Sequence, residues 1–130
     1  MVVVILQWAT YGHTVMAKAN ERQDLLQGTL DMLILRTLQL GKIHGHAIAK
    51  HIQRTSRDVL QVETGTLYPA LRRLEEKGWI TSQWEMSKPH NRELRIYQLT
   101  AIGRKQLTSQ EAKWDELVQA IARVMRASEV

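Results

Sequence analysis

Residues 64–78, TGTLYPALRRLEEKG, contain the clearest structural pattern of the chain. Their apolar side chains recur at intervals of three and four residues, which predicts a helix with one buried face. That face consists of Leu67, Ala70, Leu71 and Leu74. Gly78 suits the position that follows a helix end. If Thr66 is the N-cap, Pro69 has no helical hydrogen bond to lose, whereas a start at Thr64 loses one.

Two further helices are predicted on the N-terminal side of this segment. The first begins after Thr29, a suitable N-cap, and ends before Gly41. Its apolar stripe contains Leu30, Leu33, Ile34 and Leu38. The second helix covers residues 45–55, and the polar residues 56–62 connect it to the third helix.

After Gly78 the periodicity changes from helical to alternating. Trp79–Met86 and Glu93–Thr100 both have the alternation typical of strands. Residues 87–92 are rich in turn formers and positive charge, so the two strands are predicted to form a hairpin. Thr100 is a suitable cap for a last helix that runs from Ala101 to about Arg126. This order predicts a mainly α fold with a β-hairpin wing, a winged helix-turn-helix followed by a long helix.

The last helix has a heptad pattern. Leu107, Trp114 and Ile121 lie seven residues apart, and Leu117 and Val124 occupy the intervening positions of a coiled-coil seam. The predicted seam covers residues 114–125, because Gln110 breaks it at the front end. A long helix on a small domain cannot bury this stripe by itself, so we expect it to pack on a second copy. The residues assigned to this dimer contact are Leu107, Trp114, Leu117, Val118, Ile121 and Met125. Trp114 has two interpretations: it belongs to the interface core, or it forms a wall of a cavity for an apolar small-molecule effector.

The composition limits the classes of function. The 130 residues include 18 basic and 13 acidic side chains, which give a formal charge of +5. This modest excess permits DNA binding without establishing it. The lack of cysteine excludes disulfides, zinc–thiolate sites and cysteine nucleophiles. The longest aliphatic run, Val2–Leu6, is too short to span a bilayer, so we expect a cytoplasmic protein without membrane contact.

Three segments are predicted along the chain. Residues 1–24 show no sustained period and are expected to form a flexible N-terminal extension, with Met16 as an alternative translation start. Residues 25–100 are expected to form the winged helix-turn-helix domain, and residues 101–130 the dimerisation helix.

The element order also predicts which residues contact DNA. In a winged helix-turn-helix, the third helix lies in a major groove and the hairpin tip reaches the backbone or the minor groove. Gly65 allows a phosphate to approach closely, and Arg72 can form bidentate contacts with guanine or phosphate. Arg95 is expected to extend the cationic tip. The predicted DNA contacts are Thr64, Gly65, Thr66, Tyr68, Pro69, Arg72, Arg73, Lys88, His90 and Arg92.

Several segments resemble PadR-type transcriptional regulators. The similar segments are Leu26–Leu35, Gly65–Glu75, Gly78–Ile80 and Asn91–Gly103, and the resemblance extends over about residues 25–126. Gly-Thr-Leu-Tyr-Pro at 65–69 is the most specific part. The resemblance implies a homodimeric winged-helix regulator, usually a repressor, that a small molecule or a stress signal releases from DNA. Glu93 and Leu94 depart from the family pattern after the wing arginine, and His46 stands where an aromatic residue is common.

Other functions remain open from the sequence. A winged-helix protein–protein interaction module would use the same helix and wing to bind a partner protein, and an architectural protein would bind any DNA sequence. An enzyme is not expected, because the serines have no paired histidine and acid at a recognisable spacing. No cofactor or metal is expected either: His44, His46 and His51 do not cluster with a carboxylate or thiolate.

Overall fold

The computed structural model describes residues 29–88 and 91–130, which form four helices and three strands. In chain order these are α1 (Leu30–Gln39), β1 (Ile43–His44), α2 (Gly45–Thr55), α3 (Thr64–Glu76), β2 (Ile80–Ser87), β3 (Arg92–Leu99) and α4 (Ala101–Arg126). The mainly α fold with a hairpin wing is therefore confirmed, and α2 and α4 have the predicted bounds. The expectations for residues 1–24 lie outside the described residues.

Helix α3 begins at the earlier of its two predicted starts. Glu63 is the N-cap and Thr64 is the first helical residue, so the interpretation of Thr66 as the cap is wrong. Pro69 therefore lies inside the helix, where its ring replaces the N–H that would bond to the Gly65 carbonyl. The missing bond costs little at this position because Gly65 and Pro69 both lie on the exposed face of α3.

The hairpin forms the larger part of a small antiparallel sheet with strand order β1-β3-β2. Strands β2 and β3 pair along their whole length, from Ile80 opposite Leu99 to Ser87 opposite Arg92. The two-residue strand β1, which the sequence pattern did not reveal, pairs with the other edge of β3, so that Ile43 lies opposite Tyr97. The base of the wing is thus attached to the segment between α1 and α2.

One hydrophobic core joins the first three helices to the base of the sheet. Its members are Leu30, Ile34, Leu35, Leu38, Ile48, Ala49, Ile52, Leu67, Ala70, Leu71, Leu74, Ile80, Tyr97, Leu99 and Leu107. The predicted inner face of α3 supplies four of these side chains. Leu107 comes from α4, so the start of the last helix belongs to this core.

The beginning of α4 is locked against the beginning of the wing. Thr100 caps the helix, because its hydroxyl oxygen accepts a hydrogen bond from the Gly103 N–H at 3.0 Å. The same hydroxyl lies 2.7 Å from the Gly78 carbonyl oxygen. A Cβ atom on Gly103 would overlap the Trp79 carbonyl oxygen and come within 2.7 Å of Leu99 Cδ1. Only glycine fits where α4 crosses the start of β2.

Candidate nucleic-acid interface

The outer face of α3 presents the side chains that the sequence assigned to DNA. Thr64, Gly65, Tyr68 and Pro69 are exposed on it, and Thr66 is half-buried. The first N–H groups of a helix lack partners within the helix, and the helix dipole favours negative charge at this end. The N-terminal turn of α3 is therefore chemically suited to a phosphate.

The two adjacent arginines of α3 have different environments. The Arg72 side chain is 83% exposed, and its ion-pair partner is Glu76 on the same helix, at 3.5 Å. The Arg73 side chain is 52% exposed and donates to Asp31 of α1 at 3.2 Å. Arg72 can change partner without disturbing the fold, whereas Arg73 links α3 to α1.

Tyr68 is held by the start of α2. A Cβ atom on Gly45 would lie 3.1 Å from Tyr68 Cε1, which is closer than nine in ten real contacts of a Cβ atom. The tyrosine ring therefore packs directly over the backbone of Gly45. Since one edge of the ring, including Cε1 and the hydroxyl, packs on Gly45 while 46% of the residue stays exposed, Tyr68 can present a fixed surface to a ligand.

The wing tip carries the predicted cations. Lys88 follows β2 in the turn, Arg92 opens β3, and both are exposed. Between them Asn91 has φ 48°, the left-handed conformation that asparagine tolerates in turns. His90 lies outside the described residues. The tip thus places two cationic side chains at the far end of the hairpin.

Arg95 does not extend the cationic tip, and this prediction is wrong. Its guanidinium donates through Nε to the Ser82 hydroxyl at 2.9 Å and through Nη2 to Glu75 at 3.2 Å. The Ser82 hydroxyl in turn donates to Glu75 at 2.6 Å. This cluster of three residues connects α3 to both strands of the wing. Sequence spacing did not reveal it, since the strand register must be known before Ser82 and Arg95 can be placed side by side.

An open cleft of about 430 Å³ separates α3 from the wing. It is lined by Tyr68, Arg72, Glu75, Glu76, Arg95 and Tyr97. Each arginine of the cleft is paired with a glutamate, so the charges largely cancel. Burial raises the pKa of the Tyr97 hydroxyl above its ordinary value, although the nearby Arg95 acts in the opposite direction. Among residues 29–88 and 91–130, no group of three His, Cys, Asp or Glu side chains is placed to hold a metal ion.

The second half of α4 has an apolar surface. Leu117 is 53% exposed, Val124 and Met125 are more exposed still, and Trp114, Val118 and Ile121 are half-buried. Leu107 differs from the rest of the predicted dimer contacts, because it is 1% exposed and packs in the core of its own chain. Its assignment to a contact between two chains is wrong, since almost none of its surface remains for a partner.

Three packed helices followed by a hairpin with a cationic tip define a winged helix-turn-helix protein. The chain belongs to the transcriptional regulator PadR-like family, which residues 34–109 match. It is 35% identical over 99 residues to the transcriptional regulator Rv3488 of Mycobacterium tuberculosis, a match that covers 76% of this chain and 88% of that protein. The chain is therefore a regulator of transcription, and its family implies DNA binding.

Solved structures show the same architecture. A PadR family transcriptional regulator from Eggerthella lenta is similar with a TM-score of 0.72 and 28% identity, over 85% of this chain and 93% of that one. A transcriptional regulator from Clostridium thermocellum has a TM-score of 0.70 and 27% identity, over 77% and 96% of the two chains. In the part of this chain that the structure describes, no helix has the length and apolar character needed to cross a membrane.

Proposed function

We propose that this regulator is a cytoplasmic, homodimeric repressor that binds a specific operator in double-stranded DNA. The observation that carries the proposal is the environment of Arg72. Its guanidinium is exposed on the outer face of α3 and has a local, replaceable partner in Glu76. A bidentate arginine is the commonest reader of guanine in a major groove. In the proposed complex, Arg72 and Tyr68 contact base edges.

The proposed phosphate contacts come from two places. The first turn of α3 offers the hydroxyls of Thr64 and Thr66 and the N–H groups of Thr64 and Gly65, and Gly65 leaves space for the backbone of DNA. The wing tip offers Lys88, His90 and Arg92. Pro69 lies beside Tyr68 on the exposed face of α3. Arg73 stays a predicted DNA contact, although its ion pair with Asp31 opposes that role.

Dimerisation through α4 is supported by the exposed apolar side chains of its second half. Leu117, Val124 and Met125 would be costly to leave in water over a long helix, and a second copy of α4 offers a matching surface. Two recognition helices in one dimer would contact half-sites about 34–36 Å apart. In this arrangement residues 25–100 bind DNA and residues 101–130 join the two protomers.

Release by an apolar small molecule is supported by Trp114. It is half-buried in the single chain and lies on the proposed dimer surface, so two copies would face each other across the symmetry axis. A ligand between them would change the angle between the protomers and hence the spacing of the two α3 helices. Trp114 fluorescence that stays constant while a ligand releases the DNA would contradict this mechanism.

The proposal is tested by fluorescence anisotropy on the duplex upstream of the protein's own gene, with a scrambled duplex as control, from 50 to 200 mM salt. Selective, salt-dependent binding is expected. Arg72→Ala should weaken binding to the specific duplex by ~1–3 kcal/mol and reduce the preference over the scrambled one. Arg36→Ala is the charge-matched control, because it removes an exposed arginine outside the proposed contacts.

The other outcomes identify the alternatives. If Arg72→Ala weakens binding to both duplexes equally, Arg72 contacts a phosphate instead of a base. Equal binding of the wild-type protein to both duplexes would favour an architectural DNA binder. If neither duplex binds at the lowest salt, the protein–protein interaction module is favoured, for which the exposed Trp84 and Met86 of the wing supply an apolar surface.

A further inference from the structure

We propose that Glu75 is a positioning residue that fixes the angle between the wing and α3, acting through Ser82 and Arg95. The inference rests on the proposed DNA binding, because the wing cations reach a phosphate only if the wing is held at a defined angle to the helix in the major groove. None of the three residues is among the proposed DNA contacts.

The outer part of the wing needs such a support. Ile80, Tyr97 and Leu99 bury the base of the hairpin, whereas residues 81–87 and 92–96 add no buried side chain to the core. Trp84 is 62% exposed and Met86 is also exposed, although both lie on the face that continues from Ile80. An isolated two-stranded hairpin is at best marginally stable in water. Side-chain links to the body must therefore determine where the tip points.

Glu75 supplies a link that reaches both strands. One carboxylate oxygen accepts from Ser82 of β2 at 2.6 Å, and the other accepts from Arg95 of β3 at 3.2 Å. Arg95 Nε also donates to the Ser82 hydroxyl at 2.9 Å, which closes the cluster. The Arg95 guanidinium lies 5.6 Å from the centre of the Trp84 ring, so it also covers the first unsupported aromatic side chain of the wing.

A weaker link lies on the opposite face of the hairpin. Lys42, just before β1, forms an ion pair with Glu85 of β2 at 3.3 Å, and 53% and 41% of the two side chains are exposed. A single, partly exposed ion pair contributes little to stability. Glu75 instead accepts two hydrogen bonds, one from a hydroxyl and one from a guanidinium, and therefore holds its partners more firmly. The wing is thus linked to the body on both faces, and the Glu75 link is the stronger of the two.

The charge of the cleft favours this positioning role over direct contact with DNA. Arg95 is occupied by Glu75 and Ser82, and a second carboxylate, Glu76, stands beside them. Because each arginine of the cleft is paired with a glutamate, the cleft has little net positive charge with which to attract a phosphate. Arg95 acts on DNA binding by holding the wing.

The first test measures the free protein. Backbone order parameters from nitrogen-15 relaxation are compared for the wild type, Glu75→Gln and the control Glu76→Gln. Both variants raise the net charge by one, but only Glu75 reaches the wing. In Glu75→Gln the order parameters of the outer wing should fall from about 0.85 towards 0.6, and in Glu76→Gln they should stay unchanged. Unchanged order in Glu75→Gln overturns the proposal.

The second test measures the wing on DNA. In the wild type and in Glu76→Gln, adding Lys88→Ala should reduce the slope of log affinity against log salt by about one unit. In Glu75→Gln the same addition should leave the slope almost unchanged. The same loss in all three backgrounds overturns the positioning role. If the wild type binds no DNA, the proposed function fails, while the order parameters of the free protein still decide this inference.

Ser82→Ala keeps the test valid if Glu75→Gln does not fold. It removes the hydroxyl between Glu75 and Arg95 without changing the charge or the sequence of α3. The same loss of wing order is expected, to a smaller extent, because the direct Glu75–Arg95 contact remains. A folded Ser82→Ala protein with a wing as ordered as that of the wild type counts against the proposal.

Discussion

The two halves of α4 share one heptad series, through Leu107, Trp114 and Ile121, but have different surroundings. In the first half, Gly103 lies against the Trp79 carbonyl and Leu107 is buried in the core of the chain. In the second half, Leu117, Val124 and Met125 are exposed. The seven-residue spacing runs through both halves, although Gln110 interrupts the seam in the first half and Leu117 and Val124 continue it in the second. An apolar residue at a heptad position therefore predicts that its side chain is buried. Only the fold shows whether the same chain or a second copy buries it.

The division of α4 into two halves also separates the stability of the folded protomer from the stability of the dimer. Substitutions in the first half should change the free energy of unfolding of the protomer. Substitutions in the second half should change association of two protomers and leave the protomer folded. The following variants test this separation.

The largest effect is expected for Gly103→Ala. The added Cβ would overlap the Trp79 carbonyl oxygen, and neither that backbone nor the helix can move without opening the core. A loss of more than about 4 kcal/mol in unfolding free energy is expected from chemical denaturation. The control is Gly65→Ala on exposed α3, where a Cβ meets nothing within 4 Å and a gain of about 0.5–1 kcal/mol is expected. A cooperatively folded Gly103→Ala protein of normal stability would contradict the close packing of the first half of α4 against its own chain.

Leu107→Ala should be the next most damaging change. Truncation of this fully buried side chain leaves a cavity between α4 and the core, at a cost of about 2–5 kcal/mol in unfolding free energy. Thr108→Ala changes the exposed neighbour and should stay within about 0.5 kcal/mol of the wild type. If Leu107→Ala instead weakens association and leaves the melting of the protomer unchanged, the first half of α4 belongs to the interface after all.

Leu117→Glu tests the second half. A carboxylate on the proposed apolar interface should weaken association by about 2 kcal/mol or more, measured by sedimentation equilibrium. Helical content by circular dichroism should not change, because the side chain is exposed in the single chain. Gln119→Glu adds the same charge to an exposed polar position two residues away and is the matched control. Equal association of Leu117→Glu and Gln119→Glu would place the partner surface elsewhere.

The smallest effect concerns how the stability of the protomer depends on pH, through a tyrosine of the core that the first half of α4 completes. Burial raises the pKa of Tyr97 above its ordinary value of 10.0, so the folded chain keeps a proton that the unfolded chain releases. Stability is therefore expected to fall as pH rises above about 10 and through the folded pKa. Tyr97→Phe should remove this alkaline decline in thermal melts, while the exposed Tyr68→Phe should keep most of it. An identical decline in Tyr97→Phe would assign the loss to other groups.

Local patterns in the sequence were sufficient for much of the fold. The bounds of α2, the inner face of α3, the hairpin and the Thr100 cap all depend on residues close together in the chain. The sequence does not distinguish between the two starts of α3, because Pro69 is compatible with either at small cost. Strand β1 has no signal in the sequence, since two residues show no periodicity and its partner β3 is remote in the chain.

The candidate site was predicted less completely than the fold. The exposed face of α3 follows from helical spacing, so Tyr68, Pro69 and Arg72 were placed correctly on the surface. The link from Arg73 to Asp31 and the cluster around Glu75 depend on how elements pack in three dimensions. Spacing alone cannot distinguish an arginine that faces solvent from one that faces a neighbouring element.

The attachment of β1 to β3 has a consequence for the order of folding. The contacts within each of the helices α1–α3, and those between the two strands of the hairpin, join residues that are near in the chain and therefore form quickly. The pairing of Ile43 with Tyr97 instead closes a long loop that contains α2, α3 and β2. The entropic cost of closing this loop is opposed by the pairing of only two residues of β1. This pairing is therefore expected to form late, after the elements inside the loop have condensed. A newly made chain would then acquire its helices before its wing is set in place.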